Sequence, residues 1–296
     1  MKTLVIGGRG FIGSAVKKES SSLGEVYSTC VEDDPKENEI QLDLRDIKNV
    51  RDVLTNVKPE FIVNCAGIVT NDDKAKLNEL FTRNVLQAVV DTGIKVKRLV
   101  ILGSAAEYGL VDPSNLPVDE DTPLNATSLY GLSKVRETTF AREFSKKHGL
   151  PVVVARLFNP IGANMPPRML ITGIKKQAKQ LILGETDHIE VSRLDSERDY
   201  IDVKDVAVAI GKLLGKKPEF DVYNIGTNHT TTTRELVNFV LMAMGIAPSI
   251  PVVELSAVKE PSVASKADIS RITKEFGWVP VNNPESVIKE LSGEDE

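Results

Sequence analysis

The chain is poor in the residue types that build special architectures. It holds two cysteines, Cys30 and Cys65, and three scattered histidines, His148, His188 and His229, in 296 residues. That excludes a disulfide framework and a Cys- or His-rich metal centre. Neither sign of charge dominates: 37 Lys and Arg stand against 42 Asp and Glu, a net charge of −5 with no long basic block. Nucleic acid and anionic membranes are therefore poor partners. No apolar run approaches the roughly 18 residues of a membrane-spanning helix. The N-terminal "LVI" is too short for a signal-peptide core and runs straight into glycines. The expectation is a metal-free cytoplasmic protein that binds neither nucleic acid nor membrane.

What is present is an ordinary globular composition, 41% hydrophobic and 27% charged. Its length suits one α/β domain or two joined ones. Short apolar runs ("TLVIG", "EVYSTCV", "EFIVNCAG", "RLVILGS", "PVVVARLFN") alternate with helical stretches over residues 11–22, 46–57, 77–92 and 128–148. Continuous apolar strands separated by helices predict a parallel sheet covered on both faces, the doubly wound pattern. Beyond Asn159 the alternation gives way to pieces rich in Gly and Pro. Residues 1–160 are read as a dinucleotide-binding Rossmann domain with a return segment near 200–217. Residues 161–199 and 218–296 are read as a smaller substrate-binding region.

Three constellations carry chemistry. In "LVIGGRGFIGSAV", Gly7, Gly10 and Gly13 follow a strand and open a helix whose first residues are Phe11 and Ile12. Such a turn sets backbone N–H groups and a helix N-terminus against a pyrophosphate. In "SLYGLSK", Tyr130 and Lys134 lie one helical turn apart on one face. An ammonium beside a phenol favours the phenolate and readies it for proton transfer. Tyr200 and Lys204 have the same spacing, but Tyr200 lies in a short β-like run, so a structural role is expected there. Ser104 ends "RLVILGS", where a hydroxyl can bond a substrate oxygen.

Nine segments, "GGRGFIG", "LDLRD", "VNCAG", "GSAAEYG", "YGLSK", "RLFNPIG", "RDYIDVKDVA", "YNIGT" and "FGWVP", give the chain a resemblance along nearly its whole length. It resembles the extended short-chain dehydrogenase/reductases that act on nucleotide sugars. Within them it looks most like the GDP-4-keto-6-deoxy-mannose reductases. The resemblance implies that Gly7, Gly10 and Gly13 hold the cofactor pyrophosphate and that Asp43 and Leu44 meet the adenine. Cys65, Ala66 and Gly67 would line the nicotinamide side. Ser104, Tyr130 and Lys134 would form the proton-transfer triad, with Lys134 also on the nicotinamide ribose. Leu157 to Asn159 would close over nicotinamide and sugar. Arg198 would clamp the nucleotide phosphate, or else pair with Asp199 or Asp202. A homodimer through the helices at 77–92 and 128–148 is also implied.

The departures are informative. Related 4,6-dehydratases carry Asp-Glu after the catalytic hydroxyl, and reductases that also epimerise carry Cys at the second of those positions. Here Ala105 and Ala106 stand there. Glu107 comes one residue late, and strand alternation would turn it away. Mannose-type reductases have an Arg-Pro-Ser-Glu stretch near the C-terminus; this chain has "VKEPSV", with Lys259 the nearest cation. An NAD-type fold ends its second strand with a carboxylate for the ribose 2′-hydroxyl. Cys30 falls at that place, with Val31, Glu32, Asp33 and Asp34 following, though a shift of one residue would bring Glu32 to the ribose. Arg9, inside the glycine loop, then favours a 2′-phosphate and hence NADP(H), with NAD the alternative. The leading expectation is reduction of a 4-keto-6-deoxy nucleotide sugar; an NAD-dependent nucleotide-sugar 4-epimerase is the runner-up. A non-catalytic nucleotide sensor is disfavoured by the intact triad.

Overall fold

The apolar runs of the first half become parallel strands with helices between them. In order these are β1 (Lys2–Ile6), α1 (Phe11–Ser20), β2 (Glu25–Cys30), β3 (Glu39–Gln41), α2 (Ile47–Val57) and β4 (Phe61–Asn64). Then come α3 (Leu77–Thr92), β5 (Arg98–Ser104), α4 (Leu129–His148) and β6 (Val152–Leu157). The second half holds shorter pieces: β7 (Asn159–Ile161), α5 (Leu170–Ile182), β8 (Ile189–Val191), β9 (Glu197–Arg198), β10 (Tyr200–Asp202), α6 (Val203–Gly215) and β11 (Val222–Ile225). After these lie β12 (Thr231–Thr232), α7 (Thr233–Ala243), β13 (Val252–Glu254), β14 (Ala264–Ser265), α8 (Ser270–Phe276) and α9 (Pro284–Gly293). The computed structural model describes residues 2–247, 249–255 and 264–293. Among them, no helix is long and apolar enough to cross a membrane.

Seven strands form one parallel sheet in the order β11-β6-β5-β4-β1-β2-β3. Successive strand residues point to opposite faces, and both faces are buried. Val5, Val63, Val100 and Val153 pack with Val206, Ile210 and Leu213 of α6 on one side. Leu4, Ile62, Leu99 and Ile101 pack with Val53, Leu86 and Val89 of α2 and α3 on the other. Each such side chain contributes roughly 1.5–3 kcal/mol by leaving water, so continuous apolar strands are what this architecture demands. The helices start where the side chains allow: Asp46 accepts from Lys48 N at α2, and Ser128 accepts from Gly131 N at α4.

Helix α6 packs on the main sheet, and the chain runs on from it to Ile225. There β11 pairs with β6 as the edge strand of the seven-stranded sheet. A separate apolar cluster, including Ile161, Ile171, Ile174, Leu236, Val240 and Ile288, supports the C-terminal pieces. From β1 the chain winds outward through β2 and β3, then back on the other side through β4, β5 and β6. The reversal between β1 and β4 opens a crevice at the strand C-terminal ends, where open α/β sheets take ligands.

Candidate active site

Four adjacent strand ends deliver the candidate residues to that crevice. The glycine loop leaves β1 and enters α1 at Gly10, which caps the helix with no side-chain hydrogen bond and no acid in the first turn. The first-turn N–H groups, at Phe11 and Ile12 onward, are thus left for an external anion. A Cβ at Gly13 would lie 2.1 Å from the Gly7 carbonyl oxygen, so α1 can sit this close to β1 only with glycine there. Cys65, Ala66 and Gly67 follow β4, with Cys65 N donating to Ile6 O at 3.0 Å. Burial pushes the Cys65 thiol up to about 12, which makes it a wall and not a nucleophile. These features fit a dinucleotide pyrophosphate along the loop. Asp43 lies just past β3, bonded to Arg45, and Leu44 is buried beside it.

Ser104 ends β5 opposite Leu157 of β6. Its hydroxyl accepts from Ala106 N at 3.2 Å, while Ser104 N donates to Glu107 Oε1 at 2.8 Å. Tyr130 sits in the first turn of α4, half-buried. That turn is drawn against residues 105–107 because residue 131 is glycine: a Cβ there would fall 2.5 Å from the Ala106 carbonyl oxygen. Among the described residues the Tyr130 hydroxyl makes no hydrogen bond, so it is available to a substrate.

Lys134 is buried beneath it, and its Nζ donates to Leu102 O and to Glu137 Oε2, both at 2.5 Å. Burial works to lower the pKa of this ammonium, but Glu137 and then Tyr130 outweigh it, and the pKa is raised. Lys134 is therefore held protonated. Glu137 also accepts from Thr82 Oγ1 at 2.6 Å, and Thr82 in turn accepts from Asn64 Nδ2 at 3.1 Å. A continuous buried chain thus runs from the end of β4 through α3 to the lysine of α4.

Residues 105–107 form a 3-10 turn and not a strand extension, so alternation does not govern Glu107. Its carboxylate is fully buried in an ion pair with Arg156 (Nη2 to Oε2, 3.0 Å), which holds it away from the crevice. Ala105 and Ala106 remain partly exposed beside Ser104. Leu157 is buried at the end of β6, and Asn159 Nδ2 donates to Asp199 O at 2.8 Å. Arg198, one residue earlier on β9, makes no ion pair among the described residues. Asp199 instead accepts from Thr227 N and Oγ1, Asn228 N and Ala267 N, and Asp202 caps α6 through Lys204 N. Arg198 pairs with neither carboxylate in this structure. Tyr200 is buried on β10, and Lys204 pairs with Glu290 at 2.5 Å, so this second Tyr–Lys pair is structural. Lys259 lies outside the described residues.

Arg9 is held among carboxylates. Its Nε and Nη2 donate to Glu39 Oε2 at 3.1 and 2.9 Å, and Nη2 also to Asp34 O at 2.7 Å. Nη1 reaches Asp34 Oδ1 at 2.8 Å and Glu32 Oε2 at 3.4 Å. Glu39 is nearly buried and accepts from Lys17 Nζ as well, at 3.0 Å. Lys17, aided by Arg9, pulls the Glu39 carboxyl down to about 2. Cys30 ends β2 as the alignment of motifs suggested, with its thiol turned to Glu32 O.

A profile of the NAD dependent epimerase/dehydratase family matches residues 3–226. The chain belongs to this family. It is an enzyme of this family, and the curated relatives it matches are named for work on nucleotide sugars. A UDP-glucose 4-epimerase of Lactobacillus helveticus is 29% identical, with 95% of this chain and 92% of the relative covered. A GDP-6-deoxy-D-mannose reductase of Pseudomonas aeruginosa is also 29% identical, over 69% of this chain and 67% of the relative. The structure of RMD from Pseudomonas aeruginosa complexed with NADPH superposes with a TM-score of 0.86 at 21% identity, covering 99% and 98% of the two chains. At that identity the likeness speaks for the fold.

Two features of this family member escaped sequence reasoning. Glu137 lies three residues from Lys134 on the same helix face, a spacing that brings side chains together; it was the available signal. Glu39 had none, because its meeting with Arg9 depends on β3 pairing with β2.

Proposed function

We propose that the protein reduces the C4 keto group of a 4-keto-6-deoxy nucleotide sugar, with hydride from a nicotinamide dinucleotide and a proton from Tyr130. The dinucleotide supplies the hydride when bound. Gly7, Gly10 and Gly13 with the α1 N-terminus hold its pyrophosphate, Asp43 and Leu44 meet the adenine, and Cys65–Gly67 with Leu157 and Asn159 line the nicotinamide side. Ser104 Oγ, its own proton free to donate, bonds the keto oxygen and stabilises the charge that develops on it. Tyr130 gives its proton to that oxygen as the carbinol forms. Protonated Lys134 compensates the tyrosinate left behind and meets the nicotinamide ribose. Arg198, without a carboxylate partner among the described residues, binds the nucleotide phosphate.

The observation that carries this reading is the pair of methyl groups at Ala105 and Ala106, beside Ser104 where removal of water would need an acid and a base. Glu107 is sequestered by Arg156 and cannot substitute. The test mixes reduced dinucleotide, a 4-keto-6-deoxy nucleotide hexose and the protein. Stoichiometric loss of reduced-nicotinamide absorbance is expected, and 4-hydroxy nucleotide sugars without added cofactor should remain unchanged. A C4-inverted product in the second reaction would replace the reductase with a 4-epimerase. The epimerase reading is kept because a relative of that name aligns along 95% of this chain. We also propose that two copies pair through the outward faces of α3 and α4.

A further inference from the structure

The turn at residues 105–107 touches both elements that bear the hydroxyls of the proposed reduction, on which reading this inference rests. Ser104 caps the turn from the end of β5. Tyr130 meets it from α4, where Gly131 allows the helix to approach the Ala106 carbonyl oxygen. Whatever holds this turn therefore sets how the two hydroxyls are aimed.

Glu107 holds it. Its side chain folds back beneath β5, where Gly103 leaves room: a Cβ there would lie 2.8 Å from Oε1. Oε1 accepts from Ser104 N at 2.8 Å, and Oε2 accepts from Arg156 Nε at 3.1 Å and Nη2 at 3.0 Å. Both carboxylate oxygens are thus in use, one by the serine and one by an arginine of β6. The third nitrogen of Arg156, Nη1, donates to the Tyr108 hydroxyl at 2.9 Å. That hydroxyl lies 2.7 Å from Asn224 Oδ1, so the turn is anchored across the adjacent strands β5, β6 and β11. Glu107 and Arg156 are 0% and 1% exposed. Two charges taken out of water add little net stability over apolar residues of the same shape; what this pair adds is geometry. We infer that Glu107 is a positioning residue for the reaction, holding Ser104 by its amide so that the serine oxygen faces Ala106 N and its proton is left for the keto oxygen. Arg156 keeps the carboxylate in place. Glutamine cannot fill this role, because it has one acceptor oxygen where the site uses two.

The test is kinetic, with kcat expressed per dinucleotide-binding site counted by calorimetry, so that a misfolded fraction does not register as a loss. Glu107→Gln leaves either Ser104 N or Arg156 facing an amide N–H. Its kcat on the 4-keto-6-deoxy nucleotide hexose should fall about ten- to a hundredfold, as for a misplaced catalytic hydrogen bond. KM for sugar and dinucleotide should move by no more than about threefold. Adding Arg156→Met removes the competing donors and frees the amide oxygen for Ser104 N, so kcat should recover by at least about threefold. Arg156→Lys keeps the charge and gives up the two-pronged contact, which tests the same link even where Glu107→Gln does not fold. Its kcat should fall about three- to tenfold, the scale of one hydrogen bond. A smaller loss in Arg156→Lys, a rise in KM in place of a fall in kcat, or no recovery in the double variant would each make the pair structural. Any of these overturns the inference while leaving a reductase. A wild-type protein that binds dinucleotide without reducing the keto sugar would overturn the proposed reaction, and the inference with it.

Discussion

Tyr130 and Tyr200 each precede a lysine by four residues, and the difference between them is entirely one of setting. Tyr130 lies in the first turn of α4 with its hydroxyl unbonded among the described residues, whereas Tyr200 is buried on β10 and its lysine has gone to Glu290. Replacement of Tyr130 by Phe keeps the ring and removes the transferable proton. Its kcat should fall by roughly a hundred- to ten-thousandfold, as for a lost general acid. Tyr200→Phe should retain nearly all activity. Steady-state kinetics of the two variants decide the matter, and the reverse ranking would place the chemistry elsewhere.

At the scale of elements, the strands and helices that build the crevice were legible because their signals are local. Apolar runs mark β1, β4, β5 and β6, while Asp46 and Ser128 announce the helices they cap. The proposed triad of Ser104, Tyr130 and Lys134 rests on spacing and on its place after β5. Glu107 does lie away from the crevice, but through its ion pair with Arg156 and not through alternation, because β5 stops at Ser104 in a reciprocal cap and alternation has no meaning beyond a strand's end. The two-residue strands β9, β12 and β14 leave no period to detect; only their mutual pairing defines them. The chain Asn64–Thr82–Glu137–Lys134 was invisible for a related reason, since it exists only once α3 packs against α4. That packing carries a testable consequence. Glu137→Gln keeps the shape of the side chain and removes the charge that holds up the Lys134 pKa. Without it the Lys134 pKa falls relative to the wild-type protein, so the ammonium is lost at lower pH. The alkaline limb of the pH–rate profile should move to lower pH. Glu137→Asp should restore part of the shift; an unmoved limb would mean that Glu137 serves packing alone.

For the whole molecule, α3 and α4 present a second face, opposite the one that covers the sheet. Their N-terminal ends lie side by side, joined by Asn78 Nδ2 donating to Ser133 Oγ at 3.2 Å. Leu80 and Leu132 are exposed near that level, and Arg83 lies over the Phe140 ring at 3.9 Å. A shallow groove there is lined by Glu79, Arg83, Arg136, Phe140 and Glu143, among others. Apolar residues bordered by both signs of charge suit an isologous contact, in which each arginine of one copy can face a glutamate of the other. A stable dimer buries on the order of 1,200–2,000 Å² in total, and two helices of 16 and 20 residues offer the length for it. Sedimentation velocity at micromolar concentration should show a dimer. Leu132→Glu places a charge on the exposed face of α4 and should yield a monomer with unchanged circular dichroism. A wild-type protein that sediments as a monomer, or a variant that stays dimeric, would move the interface away from these helices.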